Sequence, residues 1–140
     1  MQPAERQAAL ARRWLSKART DLVLATVVLE RDREGLEGWA AAFHAQQAAE
    51  KALKAVLVAR GEDPPRIHNL RALVAILPSD LRLSASADDL ASLTQFASAT
   101  RYLVDSSGGA EDATWEEAES AVVVAAGVLS DVQAYLGIDG

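Results

Sequence analysis

The polar side chains best suited to chemistry cluster between residues 42 and 55, where the sequence reads AFHAQQAAEKALKA. In a helix, Gln47, Lys51 and Lys54 share one side, and Glu50 precedes Lys54 by four residues, the favourable spacing for an ion pair. The block is typical of a solvated face crossed by ion pairs. The small alanines between the polar groups equally allow close helix contact, which favours a self-association surface or a polar pocket.

Four further side chains are candidates for a site. Asp21, on the first predicted helix, and Arg101, predicted near the end of the fourth, are expected to pair across the molecule, because a buried Arg needs a carboxylate partner. Tyr102 is expected at the boundary of the core, with its ring buried and its hydroxyl in water. His68 follows the turn at Pro64-Pro65, where it either braces the start of a helix or takes part in catalysis.

The N-terminal segment is basic and defines another candidate surface. Its cations are predicted to form a solvated helix face, with phosphate binding as the alternative; they are Arg12, Arg13, Lys17 and Arg19. Three tryptophans are predicted to be anchors of the core or of an interface, namely Trp14, Trp39 and Trp115. His44 is expected to pack or to face a second copy of the chain.

The elements that must position these side chains are all helices. Alanine is the strongest helix former and occurs throughout, whereas the alternation typical of strands is absent. Periodicity and capping residues predict helices over about 4–33, 39–60 and 68–77, a fourth starting at 84–88 with an inner face that reaches Leu103, and a last one from Thr114 to Leu136. With short connections, these predict an all-α, antiparallel four- to five-helix bundle formed by residues 1–140 as a single domain.

Composition excludes several classes of protein. The 140 residues include no cysteine and only two histidines, so we expect no disulfide, no thiolate or histidine-rich metal site, and no metal or other cofactor. The longest apolar run, 121–129, is shorter than the roughly 20 residues of a membrane crossing. The N-terminus also lacks the pattern of a signal peptide. The sequence therefore predicts a cytoplasmic protein that makes no membrane contact.

Charge is distributed unevenly along the chain. The net charge is −6, but all 14 basic residues lie within 1–101, whereas 102–140 hold eight acidic residues and no basic one. An acidic protein is a poor match for broad coating of nucleic acid, because that affinity depends on neutralising many phosphates. A small basic pocket stays compatible with this composition.

Several motifs, spread over nearly the whole chain, resemble the HEPN domain (higher eukaryotes and prokaryotes nucleotide-binding). They are Trp14-Leu15, Ala18, Asp21-Leu22, Ala25, the block from Phe43 to Ala55, Gly61, Pro64-Pro65 and His68-Asn69-Leu70. The resemblance implies a compact helical bundle that generally forms a homodimer. It also implies a genomic neighbour, a minimal nucleotidyltransferase, with which the protein would form a toxin–antitoxin or related pair.

Many HEPN proteins are metal-independent ribonucleases with an Arg followed, after four to six residues, by a His. The Arg stabilises charge on the phosphorus centre and the His moves a proton. Here no His follows Arg101, and seven residues separate Arg60 from His68. The segment Thr100-Arg101-Tyr102-Leu103 also lacks the proline that resembling members carry. The usual ribonuclease spacing is therefore missing.

Three functions stay open on the sequence. The favoured one is a dimeric module that binds a nucleotide, an RNA end or a nucleotidyltransferase through Gln47, Lys51, Arg101 and Tyr102. The second is a ribonuclease in which Arg101 acts with His68 or His44, supplied across a dimer. The third is a self-associating scaffold without a ligand. A concave, positively charged groove at Gln47 and Lys51 would favour the first.

Overall fold

The computed structural model describes residues 1–31, 38–98 and 113–138, and it is helical throughout these ranges apart from turns and connections. The helices are α1 (Pro3–Arg31), α2 (Gly38–Ala59), α3 (Leu70–Ala75), α4 (Ala87–Thr94) and α5 (Trp115–Leu136). The predicted all-α helical bundle is confirmed.

Helices α1 and α2 form the most extensive contact, and alanine dominates it. Ala11, Ala18 and Ala25 are fully buried on α1. They face a run of fully buried α2 residues, among them Ala41, Ala42, Ala45, Ala48, Ala49, Ala52 and Ala55. Gln7 packs against Gly61 at one end of this contact, and Asp21 meets His44 further along, so the two helices are antiparallel. Methyl side chains let the two backbones approach closely.

Helix α5 packs against α2 and also contacts α1. Its first turn lies where α1 ends, because the Trp115 indole N–H donates to the Leu29 carbonyl at 3.2 Å. The backbone at Gly38 is so close to Ala113 that a Cβ there would clash with the Ala113 carbonyl oxygen. Helices α2 and α5 therefore start side by side and run in the same direction, opposite to α1. The buried face of α5 comprises Ala118, Ala121, Ala125, Val128, Leu129 and Val132.

Helix α5 is, within the described ranges, the one helix whose length and mean hydropathy of 1.2 would permit a membrane crossing. In the structure α5 packs one face against α2 and α1, and 28% of its most apolar stretch is buried.

Capping explains where several helices begin or end. Thr114 and Glu117 form a capping box: the Thr114 hydroxyl accepts from the Glu117 N–H at 3.0 Å, and the Glu117 carboxylate accepts from the Thr114 N–H at 3.2 Å. Ser86 and Asp89 form a second box at α4. After α2, Gly61 has a φ of +78°, the left-handed conformation that glycine commonly adopts after the end of a helix.

Helix α4 is shorter than predicted. It ends at Thr94, before the end of the predicted inner face, and Leu103, the last residue predicted for that face, lies outside the described residues. The Thr94 hydroxyl donates to the Leu90 carbonyl at 2.8 Å and accepts from the Leu70 N–H at 3.0 Å, which fixes this end against the start of α3. Arg101 and Tyr102 fall outside the described residues, so the prediction that Arg101 lies near the end of this helix is not tested.

The connection between α3 and α4 is attached to α5. Asp131 accepts hydrogen bonds from the Ser84 N–H at 2.8 Å and from the Ser84 hydroxyl at 3.0 Å. The Tyr135 hydroxyl donates to Asp80 at 2.8 Å, and this bond raises the pKa of Tyr135 above its usual value. These contacts hold the two short helices on the larger three.

We expect Thr114→Ala to lower the free energy of unfolding by about 1 kcal/mol, because it removes the reciprocal bonds at the start of α5. Urea unfolding followed by circular dichroism measures the loss. Thr20→Ala is the matched control: Thr20 is exposed within α1, and its hydroxyl bonds only to the Ser16 carbonyl four residues back. Equal losses in the two variants would contradict the capping role.

Candidate functional site

One carboxylate on α1 organises the exposed polar side of α2. Asp21 is only 7% exposed, and its two oxygens contact His44 Nδ1 at 3.0 Å and Lys51 Nζ at 2.5 Å. His44 and Lys51 are two helical turns apart, so they stand on the same side of α2. Asp21 therefore holds both side chains in fixed positions beside α1.

Arg101, the partner predicted for Asp21, lies outside the described residues, and that pair stays a prediction. The contacts with His44 and Lys51 were missed at the level of sequence. The only sequence signal for them was that His44 and Lys51 are seven residues apart on α2, and this spacing does not indicate which carboxylate they contact.

A second polar cluster lies inside the protein, further along α2. Glu50 is nearly buried, and one of its oxygens accepts from Lys54 Nζ at 3.0 Å. The other oxygen accepts from Gln46 at 3.2 Å and contacts His68 Nδ1 at 2.9 Å. Gln46 also donates to the His68 carbonyl at 3.0 Å. The Glu50–Lys54 ion pair predicted by spacing is thus present, but it is buried and not part of a solvated face.

The two histidines are held in the same way. Each contacts, through Nδ1, a carboxylate whose second oxygen binds a lysine. Because an ionised carboxylate only accepts, Nδ1 must carry the proton, and a neutral ring then leaves Nε2 as an acceptor. The side chain of His68 is 64% exposed and that of His44 31%, so solvent reaches both rings. This arrangement orients a proton acceptor, a property that a general base requires.

A basic cavity opens between α1 and α2. It has a volume of about 310 Å³ and is lined by Leu10, Arg13, Trp14, Lys17 and Lys51; we refer to it as the cationic cavity. Arg13 and Lys17 are exposed, and neither forms an ion pair within the described ranges. The carboxylate of Asp21 balances Lys51 only, so the cavity keeps a net positive charge.

The basic stretch of α1 is divided between two sides of the helix. A residue advances by about 100° around an α-helix, which places Arg19 about 200° from Lys17. One guanidinium nitrogen of Arg19 is buried, without a hydrogen-bond partner in the described part of the chain. Arg12 is exposed and does not line the cavity. The stretch is therefore not one uniform face.

The remaining candidates have different surroundings. Gln47 donates to the Gln46 side-chain oxygen at 2.7 Å and does not line the cationic cavity. Tyr102, like Arg101, is outside the described residues. Over the described ranges, no group of three or more metal-ligating side chains comes together.

We expect Glu50→Gln to destabilise the protein by about 3 kcal/mol, because it leaves the buried Lys54 ammonium without a carboxylate. The double variant Glu50→Gln/Lys54→Met should lose less, since it also removes the unpaired charge. Urea unfolding measures both. Glu62→Gln, which breaks an exposed pair with Arg60, is the control and should change stability by less than about 1 kcal/mol. A double variant less stable than the single one would contradict the pairing argument.

Comparison with known proteins assigns the chain to a family. Residues 11–135 match the model of the HEPN domain. The crystal structure of TT1696 from Thermus thermophilus superposes with a TM-score of 0.72 at 35% identity, covering 89% of this chain and 96% of that one. ST0689, an archaeal HEPN homologue, gives 0.67 at 25% identity, with 90% and 97% covered. No curated protein matches the sequence significantly. The chain belongs to the HEPN-domain family.

Proposed function

We propose that the protein is a binding module that takes up a phosphate-bearing ligand, a nucleotide or an RNA end, in the cationic cavity. The observation that carries this proposal is the convergence of Arg13, Lys17 and Lys51 on one concave site. Phosphate oxygens accept hydrogen bonds from ammonium and guanidinium groups, and Arg can bind them in bidentate fashion.

The contact between Asp21 and Lys51 supports binding at this site. Lys51 is 29% exposed and held at 2.5 Å from the carboxylate, so little side-chain freedom is left to lose when a ligand arrives. Arg13 and Lys17 supply charge that no described carboxylate offsets. Gln47, one turn before Lys51 on α2, and Arg101 and Tyr102 extend the proposed contact surface.

The proposal includes three further points: the protein acts in the cytoplasm, it forms a homodimer, and it pairs with a minimal nucleotidyltransferase in a toxin–antitoxin-like system. Exposed apolar side chains on α1 and α5 support an assembly surface, namely Val23, Leu24, Val27 and Val123. Sedimentation equilibrium tests the dimer. Titration with a nucleotidyltransferase encoded beside this gene tests the pairing, and absence of such a neighbour would count against it.

We expect Arg13→Gln/Lys17→Gln to weaken binding of ATP at least tenfold, because it removes the two unbalanced cations of the cavity. Isothermal titration at two salt concentrations measures the affinity, which should fall as salt rises.

Arg12→Gln is the matched control for that experiment. It removes one positive charge, half of what the double variant removes, from the adjacent position, which is exposed but does not line the cavity, and it should change the affinity less than twofold. Equal losses in Arg12→Gln and in the double variant would contradict the site. No heat from ATP or a short oligoribonucleotide would favour a ligand-free scaffold.

Ribonuclease activity is the second candidate, favoured by the two histidines whose Nδ1 contacts a carboxylate. In this function His68 or His44 accepts the proton of the attacking hydroxyl, and Arg101 stabilises the charge on phosphorus. If the activity exists, purified protein cleaves RNA without metal, and both Arg101→Ala and the relevant His→Ala variant abolish cleavage. RNA left intact by the unaltered protein, in dimeric form, would dismiss it.

A further inference from the structure

A second cavity adjoins the cationic cavity and shares two of its walls. Leu10 and Trp14 line both. The second cavity, here the Trp14 groove, has a volume of about 290 Å³ and lies between the first turns of α1 and the end of α2, where Gln7, Val58, Gly61, Glu62, Asp63 and Pro64 contribute to its lining. Each cavity alone is at the lower limit for small-molecule sites, and the two joined fall well within that range.

The two cavities differ in the charged groups that line them. Three cations line the cationic cavity, whereas Glu62 and Asp63 bring carboxylates to the Trp14 groove. Glu62 is paired with Arg60 at 3.4 Å, but both side chains are more than half exposed, and a carboxylate has acceptor capacity beyond one partner. Arg6 also lines the groove, near its edge on α1. A ligand that spans both cavities would meet three cations at one end and carboxylate acceptors, together with Arg6, at the other.

Trp14 stands between these two ends. Its side chain is half-buried and packs against the core, so the indole is held in place as a flat wall. Flat aromatic rings stack on such a wall, and the contribution of stacking to nucleic-acid binding is about 1–3 kcal/mol per base. Leu10, next to it and 47% exposed, extends the apolar surface.

We propose that the occupant is a nucleoside phosphate whose base carries an exocyclic amino group, with the phosphates in the cationic cavity and the base on Trp14. The amino group donates to Glu62 or Asp63. The same chemistry is offered by a free nucleotide and by the 5′-phosphorylated end of an RNA that begins with such a base. This inference rests on the proposed function and specifies its ligand.

Isothermal titration of the full chain with four ligands tests the proposal: ATP, UTP, tripolyphosphate and adenosine. ATP should bind at least tenfold more tightly than tripolyphosphate and about fivefold more tightly than UTP, while adenosine binds weakly. A 5′-phosphorylated oligoadenylate that binds more tightly than ATP identifies the RNA end as the ligand, and the reverse order identifies the free nucleotide. Affinity of ATP equal to that of tripolyphosphate, or to that of UTP, would overturn the proposal.

Variants separate this proposal from the proposed function. Trp14→Leu should remove the advantage of ATP over tripolyphosphate, because the base loses the surface on which it stacks. Because Trp14 packs on the core, Glu62→Gln/Asp63→Asn serves as an exposed alternative and should remove the preference of ATP over UTP. Arg13→Gln/Lys17→Gln should weaken ATP and tripolyphosphate alike. If tripolyphosphate binding requires Arg13 and Lys17 but a base adds no affinity, the base site in the Trp14 groove is refuted and the phosphate site in the cationic cavity is retained.

Discussion

The close approach of α1 and α2 is the constraint on which the rest of the structure depends. Fully buried alanines on both helices bring the backbones together, so side chains at the margin of the contact can span it. Asp21 does so and reaches two residues of α2 at once. If leucines replaced these alanines, the two helices would lie further apart and the Asp21 carboxylate would not reach His44 and Lys51.

The same packing explains why α2 buries charged groups. Because α1 and α5 both pack against it, α2 has little surface left for water, and polar side chains along it need partners within the protein. Glu50 meets this need with Lys54, Gln46 and His68. Through His68 the network also ties the Pro-Pro turn to α2, so a buried polar cluster positions a surface segment.

Helix number, order and caps were predictable from the sequence because they depend on local patterns such as the Thr114 box and the glycine at 61. The end of α4 was not, since the hydroxyl of Thr94 bonds to the start of α3, a contact between residues 24 apart. The side shared by Gln47, Lys51 and Lys54 follows from helical spacing. The burial of Lys54 does not, because an i,i+4 ion pair has the same sequence pattern on a solvated and on a buried face.

The cationic cavity depends on how α1 and α2 are aligned, and periodicity within one helix carries no information on that alignment. Arg13 and Lys17 stood in a basic stretch that equally predicted a solvated face. Lys51 is 30 residues from Asp21 in sequence, and only its position in the structure shows which cations converge on the cavity.

The missing side chain at position 38 has a mechanical consequence. Since the backbone there abuts Ala113, a side chain at 38 would push the first turns of α2 and α5 apart. Lys51 belongs to the same helix, so a displacement of α2 would also move Lys51 relative to α1. A bulkier residue at 38, remote from any ligand, would therefore shift one wall of the cavity relative to the other.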